Sequence, residues 1–195
     1  MNGDTTAAPL IAGVGLLERA IGYTLGSLLL VTDEPMARPS PCAGWDLRDL
    51  LAHMNDSLKA LHEAGDVGHV EVSAAMNYGD PDANPVATLR NRACSMLGAW
   101  ASHEDREWIT VDGCPVTGGV VTATGALEIT VHGWDVAQTL GQDRPIPREL
   151  ADELLPLAGL LVTDADRPTR FAAPVPTSTT APSDVRLLAF LGRRP

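Results

Sequence analysis

The chain has few aromatic and few basic side chains, and each shortage removes a class of protein from consideration. Aromatic residues make up 4% of a chain in which 45% of the residues are hydrophobic. A core of Leu, Ala and Val is therefore expected, and this composition favours packed helices. Lys and Arg number 14 against 25 Asp and Glu, and the formal net charge of -11 repels phosphate backbones and anionic lipid. Nucleic acid and membranes are not expected partners.

Cysteines, targeting signals and common catalytic motifs are also scarce. The three cysteines, Cys42, Cys94 and Cys114, form neither an even set nor a CxxC pair, which argues against a disulfide framework. No basic segment precedes the first apolar stretch, and no apolar run reaches the roughly 18 residues of a membrane span. A GxSxG elbow is absent, and "TGGVV" lacks the lysine and spacing of a phosphate loop. We expect a cytoplasmic protein with reduced thiols.

Apolar residues recur at spacings of three and four, which predicts a helical chain. The predicted helices cover residues 7–32, about 46–62, about 85–100, about 123–140, about 147–163 and a short C-terminal segment. Asp46 and Ser183 are the predicted N-caps of the second and last helices. Residues 63–85 are predicted to form a long loop, and residues 106–124 a loose hairpin or an extended lead-in.

The segment GALEITVHGWDVAQ, residues 125–138, carries two polar side chains within an apolar helix. Glu128 and His132 are four residues apart, so they lie one turn apart on the same face. A buried carboxylate needs a proton, a salt bridge or a cation, because burying it unpaired costs several kcal/mol. His53, on the apolar stripe of the second helix, is the candidate third member of this group.

Two imidazoles and one carboxylate leave coordination positions open, which is typical of a catalytic Zn site or an open iron site. The alternative interpretation is a hydrogen-bonded Glu128–His132 pair with His53 as an ordinary core histidine. A dinuclear carboxylate site would need two Glu-x-x-His motifs and further glutamates, which the sequence does not offer. If the group binds metal, we therefore expect one metal ion per chain.

Two stretches, PCAGWDLRDLLAHM (41–54) and LEITVHGWDVAQTLG (127–141), resemble characteristic segments of the DinB-like metal-dependent superfamily. The branch that they most resemble contains the mycothiol-dependent maleylpyruvate isomerase N-terminal domain. The resemblance implies an all-α fold, an up-down-down-up four-helix bundle, with a fifth helix and a short C-terminal appendage here. It implies a metal held by His53, Glu128 and His132. Residues 1–163 would form the metal-binding bundle, and residues 164–195 a connector and terminal helix packed on it in the same domain.

The resemblance also implies an activity. It predicts a metal-dependent enzyme, with Zn as the expected metal, that activates a low-molecular-weight thiol such as mycothiol for attack on an electrophilic small molecule. Such an enzyme would be an S-transferase or a thiol-assisted isomerase. A hydrolase or cyclase that uses metal-bound hydroxide stays open as an alternative, and so does a non-catalytic metal- or ligand-binding protein. The expected partners are the substrate and the thiol, and a homodimer is also open.

Residues next to the predicted ligands have two interpretations each. Asp135 and Asp56, three residues after His132 and His53, are candidates for orienting those imidazoles, with solvated helix charges as the alternative. Trp45 is a candidate for lining the pocket or for packing a helix end.

The remaining candidates are a second tryptophan, one cysteine and three histidines. Trp134 has the same two interpretations as Trp45. Cys42 lies in a Pro-Cys-Ala-Gly turn with no base evident beside it, so a protein nucleophile is not expected. No role is predicted for three histidines in polar stretches: His62, His69 and His103.

Overall fold

The computed structural model describes residues 7–32, 35–71, 84–103 and 106–195, with side chains from residue 13 onwards. The chain divides into two compact units, residues 1–142 and 143–195. The helices of the first unit are α1 (Ala7–Leu28), α2 (Leu47–Val67), α3 (Pro85–Ser102) and α4 (Gly118–Thr139). Its strands are β1 (His69–Val70), β2 (Trp108–Val111) and β3 (Cys114–Thr117).

The second unit contains α5 (Arg148–Leu161), a short 3-10 helix (Asp164–Asp166) and α6 (Ser183–Phe190). Helices α5 and α6 pack against each other. The predicted cap of the last helix is wrong: Ser183 is the first residue of α6 and follows Pro182. The Ser183 hydroxyl donates to the Asp152 carboxylate of α5, so it is not available to cap its own helix. The predicted division of the chain after residue 163 stays a prediction.

Helix α2 begins where its sequence predicts. The Asp46 carboxylate accepts a hydrogen bond from the Asp49 amide at 2.9 Å, and the Asp49 carboxylate accepts one from the Asp46 amide at 3.2 Å. This reciprocal pair satisfies backbone donors at the helix start. Gly68, with φ of 73°, ends the helix, so α2 continues past the predicted end near residue 62.

Helices α1 and α4 pack closely and run in the same direction. Gly13 lies against Thr122, while Thr24 lies against Gly133 further along both helices. A Cβ at position 133 would lie 2.4 Å from Thr24 Oγ1 and 3.1 Å from Thr24 Cα. The Thr24 hydroxyl donates to the Ile129 carbonyl at 2.7 Å. The absence of a side chain at Gly133 therefore permits the close approach of the two helices.

Helix α2 runs against α4 and alongside α3. His53 contacts Glu128, and Leu61, two turns further along α2, packs on Gly125, which precedes Glu128 in α4. Helices α2 and α4 are therefore antiparallel. Trp100 of α3 donates its indole N–H to the Leu61 carbonyl at 2.9 Å, near the ends of both helices. Earlier parts of α2 and α3 share a small apolar cleft, so these two helices are parallel.

A small sheet lies where α2 ends and α4 begins. Strand β1 pairs in parallel with β2, and β2 pairs antiparallel with β3 in the order β1-β2-β3. The turn between β2 and β3 places Asp112 and Gly113 at positive φ. The predicted hairpin is therefore present, and the expectation of an all-α chain is corrected to a mostly helical chain with a three-stranded sheet.

Three predicted boundaries need correction. Helix α1 ends at Leu28 and not at 32, and α4 begins at Gly118 and not near 123. Part of the predicted 63–85 loop forms the last turn of α2 and strand β1, while its residues 72–83 lie outside the described residues. None of the helices within the described ranges combines the length and apolar character that crossing a membrane requires.

Candidate metal centre

The antiparallel packing of α2 and α4 brings the three predicted ligands together. His53 Nε2 lies 2.5 Å from Glu128 Oε1, and His132 Nε2 lies 3.2 Å from the same oxygen. The Ser57 hydroxyl also donates to Glu128 Oε1, at 3.1 Å. One nitrogen or oxygen from each of His53, Glu128 and His132 lies within 4.8 Å of the others. These three residues therefore form a group that could hold a metal ion.

The group is closed on one side and open on the other. The side chain of His132 is 8% exposed, whereas those of Glu128 and His53 are 27% and 36% exposed. Catalytic metal sites combine a small number of fixed protein ligands with a position that solvent or substrate can reach. The graded exposure of these three side chains fits such a site.

The charges of Glu128 and His132 depend on each other. Burial alone would raise the pKa of the Glu128 carboxyl, but the charge of His132 and hydrogen bonds from His132 and His53 outweigh it and hold that pKa well below its usual value. Burial alone would lower the pKa of His132, but Glu128, Asp135 and Cys42 outweigh it and raise that pKa well above its usual value. Each group of the metal-free pair therefore favours the charged form of the other.

The donor set fits a divalent metal ion. Two imidazole nitrogens and one carboxylate oxygen suit Zn and other first-row divalent ions, and three protein ligands leave a tetrahedral ion one position short. A metal ion must displace protons from the imidazole nitrogens before it binds. The ionised Glu128 carboxylate supplies the compensating negative charge.

A second group of side chains lies behind His132. The Nδ1 atom of His132 is 2.9 Å from Asp135 Oδ2, and Asp135 is fully buried. Cys42 Sγ lies 3.3 Å from the same Asp135 oxygen and 3.9 Å from His132 Nδ1. Within the described residues, Cys42, His132 and Asp135 form the second group of three whose donor atoms lie within 4.8 Å of one another.

The structure therefore corrects the expectation for Cys42. No base beside this thiol was evident in the sequence, but an imidazole and a carboxylate both lie next to it. Its partners are 90 and 93 residues away along the chain, beyond any local pattern. The one sequence signal is the short distance from Cys42 to the Asp46 cap, which fixes this turn at the start of α2.

The two tryptophans beside the predicted ligands differ. The ring centroid of Trp45 is 4.8 Å from that of His53 and 6.2 Å from that of His132, so Trp45 lines the metal group. Trp134 is buried, as expected for helix packing. No hydrogen bond joins Asp56 to His53 in the described part of the chain. Burial raises the pKa of the Asp56 carboxyl, and the nearby charge of His53 opposes the rise.

The other histidines lie elsewhere. His69 pairs with Glu71 at 3.7 Å on the surface, and His103 Nδ1 lies 3.1 Å from the Ala99 carbonyl. His62 has a buried Nδ1 for which no hydrogen-bond partner is found among the residues that the structure describes. None of the three belongs to either group of candidate ligands found in those residues.

Comparison with known proteins identifies one related family. The family model for the mycothiol maleylpyruvate isomerase N-terminal domain matches residues 18–137, more than half of the chain. The matched range includes Cys42, His53, Glu128, His132 and Asp135. The comparisons with curated proteins and with solved structures found no match.

Proposed function

The chain belongs to the mycothiol maleylpyruvate isomerase N-terminal domain family, a DinB-like family, and from this premise we propose that it is a metal-dependent enzyme that uses a low-molecular-weight thiol. One divalent ion, with Zn as the expected metal, is held by His53, Glu128 and His132. The observation that carries the proposal is the convergence of both imidazole Nε2 atoms on Glu128 Oε1.

The proposed fold is the DinB-like up-down-down-up four-helix bundle. The parallel contacts of α1 with α4 and of α2 with α3, together with the antiparallel contact of α2 with α4, support this arrangement. In such a bundle, ligands from the two antiparallel helices face each other at a fixed separation. The ligand group therefore depends on how α2 and α4 pack.

The proposed chemistry is attack by a thiolate on an electrophilic small molecule. When bound there, a Zn ion would supply Lewis acidity, which would lower the pKa of a thiol from about 8.5 and favour the thiolate near neutral pH. His53, Glu128 and His132 fix the position of this chemistry, and the exposed side of the group admits thiol and substrate. Trp45 forms one wall of this access. The family description names mycothiol and an isomerase, which supports a thiol of that kind and a thiol-assisted isomerase reaction. An S-transferase reaction would begin with the same attack by a thiolate.

Metal analysis tests the ligand assignment. Protein purified without a chelator or a metal-binding tag is expected to contain about one divalent ion per chain. His53→Ala and His132→Ala should each lose it, because each variant leaves only two protein ligands. His69→Ala, which changes a surface histidine outside the group, is the matched control and should keep it. Full occupancy in both ligand variants would refute the assignment.

A cobalt titration tests the use of a thiol. Co(II)-substituted protein in which Cys42, Cys94 and Cys114 are all replaced by Ser is expected to develop a sulfur-to-cobalt charge-transfer band when mycothiol is added. The replaced cysteines ensure that the sulfur comes from the added thiol. Protein shown to hold Co(II) that develops no band at saturating mycothiol would exclude thiol activation. A metal-hydroxide enzyme or a non-catalytic metal-binding protein would then be the better interpretation.

A further inference from the structure

His132 has a separate set of contacts on each ring nitrogen. Its Nε2 faces Glu128, and its Nδ1 faces Asp135 Oδ2 at 2.9 Å. The Cys42 thiol donates to the same Asp135 oxygen at 3.3 Å. One carboxylate oxygen thus accepts from both the imidazole and the thiol, in a fully buried position.

We propose that Asp135 and Cys42 are positioning residues for His132, an inference that rests on the proposed metal site. Asp135 keeps a proton on Nδ1, so that the lone pair of Nε2 faces the metal position beside Glu128. Cys42 in turn fixes the Asp135 carboxylate through its S–H donor. Carboxylates that accept from the outer N–H of a metal-binding histidine set its tautomer, its ring orientation and its basicity.

The contacts favour this arrangement over a second metal ion held by Cys42, His132 and Asp135. Such an ion would need Nδ1 of His132 as a ligand while Nε2 binds the first ion, and one imidazole can serve both only after losing both of its N–H protons. Both contacts to Asp135 Oδ2 also have hydrogen-bond separations. The exposed face of His53 and Glu128 has no counterpart at Asp135, which is completely buried.

The geometry also argues against Cys42 as a ligand of the first ion. Its sulfur lies beside Nδ1 of His132, whereas the first ion is expected beside Nε2 on the other edge of the ring. The thiol therefore contacts the back of the ligand. This placement gives Cys42 a donor role that a serine hydroxyl can reproduce, because both groups offer one hydrogen to the carboxylate.

The test compares Zn affinity, Zn stoichiometry and the Co(II) spectrum in four variants. Asp135→Ala should lower Zn affinity about 10- to 100-fold while binding still saturates at one ion. Cys42→Ala should lower it by a smaller factor, about three- to tenfold. Cys42→Ser should restore most of the loss. Cys94→Ala, at an exposed cysteine, is the matched control and should bind as wild type does.

Nitrogen-15 NMR of metal-free protein gives a readout that does not need the metal. His132 Nδ1 should carry a slowly exchanging proton in wild type and in Cys42→Ser, and this proton should exchange faster in Asp135→Asn and Cys42→Ala. The Asp135→Asn variant retains the shape of the side chain and one acceptor oxygen but removes the negative charge, so it separates the effect of the carboxylate charge from loss of packing. Circular dichroism of each variant identifies any that fail to fold.

The outcomes separate the two proposals. Wild-type protein that binds no metal, yet holds the Nδ1 proton through Asp135, would refute the proposed function and keep the positioning role. Metal binding by wild type, with unchanged affinity in Asp135→Ala and Cys42→Ala and unchanged Nδ1 exchange in Asp135→Asn and Cys42→Ala, would refute the positioning role alone. Two ions per chain, or a thiolate-to-cobalt band without added thiol that Cys42→Ser removes, would show that Cys42 is a ligand and would also refute it.

Discussion

Glu128 and His132 make the stability of the metal-free protein depend on pH in both directions. The pKa of His132 is raised above 6.5, so its contribution is complete below 6.5 and is lost as the pH rises through the raised value. The pKa of Glu128 is lowered below 4.5, so its contribution is complete above 4.5 and is lost as the pH falls through the lowered value. Both contributions are therefore complete between pH 4.5 and pH 6.5, where the pair stabilises the metal-free fold most.

We expect chelator-treated wild-type protein to lose more stability than Glu128→Gln when the pH is raised from just below 6.5 through the raised pKa of His132. The variant keeps Asp135 beside His132, so the difference between the two proteins isolates the contribution of Glu128. Urea denaturation midpoints across this range measure it. Parallel pH profiles in the two proteins would contradict the assigned ion pair.

At the scale of single residues, the sequence predicts what local spacing can encode. Glu128 and His132 share a helical face, and His53 lies on an apolar stripe, so their convergence is one open interpretation of the spacing, and the resemblance to the DinB-like superfamily favours it. The contacts of Cys42 with His132 and Asp135 could not be predicted, because they depend on where α4 crosses the turn before α2. Such a contact between distant segments leaves no periodic signal in one sequence.

At the scale of helices, the contact of α1 with α4 depends on a missing side chain. We expect Gly133→Ala to destabilise the protein by about 1–3 kcal/mol, because the added Cβ would overlap Thr24 at 2.4 Å and part of the obstacle is backbone. Gly22→Ala in α1, where nothing lies within 4 Å, is the matched control and should stabilise by about 0.5–1 kcal/mol. Urea denaturation gives both values. A neutral Gly133→Ala would show that the helices can separate without cost.

The start of α2 gives a second prediction at this scale. Asp46→Ala removes the side chain that accepts from the Asp49 amide and should cost about 0.5–2 kcal/mol. Asp46→Asn keeps an acceptor and should recover most of this loss. Thermal denaturation of both variants measures the effect. Equal melting temperatures for Asp46→Ala and wild type would contradict a role for this cap in stability.

The helices themselves were mostly predictable, and the departures have physical causes. The segment Gly118-Gly119-Val120-Val121-Thr122 consists of weak helix formers, so its sequence favours an extended chain. It is helical in the fold because Thr117 caps it and Gly13 of α1 packs against Thr122. Strand β1 is only two residues long and pairs with a strand about forty residues away, which no local pattern reveals.

At the scale of the whole molecule, a bound metal ion should act as a stabilising ligand. Zn at about 100 times its dissociation constant is expected to add about 2.7 kcal/mol to the free energy of unfolding. We therefore expect a chelator to lower the melting temperature of wild-type protein and to leave that of His53→Ala unchanged. Differential scanning calorimetry with and without chelator measures this. An equal response in both proteins would place the stabilising metal elsewhere.

Helices α2 and α4 form an antiparallel pair whose two ends are held together by different kinds of contact. At one end, Gly68 and β1 join the sheet from which β3 continues directly into α4, so backbone hydrogen bonds and chain connectivity hold the helices together. At the other end, the contacts of His53 with Glu128 and of Glu128 with His132 are between side chains. Local opening should therefore begin at the side-chain end and proceed toward the sheet. Amide hydrogen exchange in α2 should be faster near His53 than near Leu61, and adding metal should slow it mainly at the His53 end.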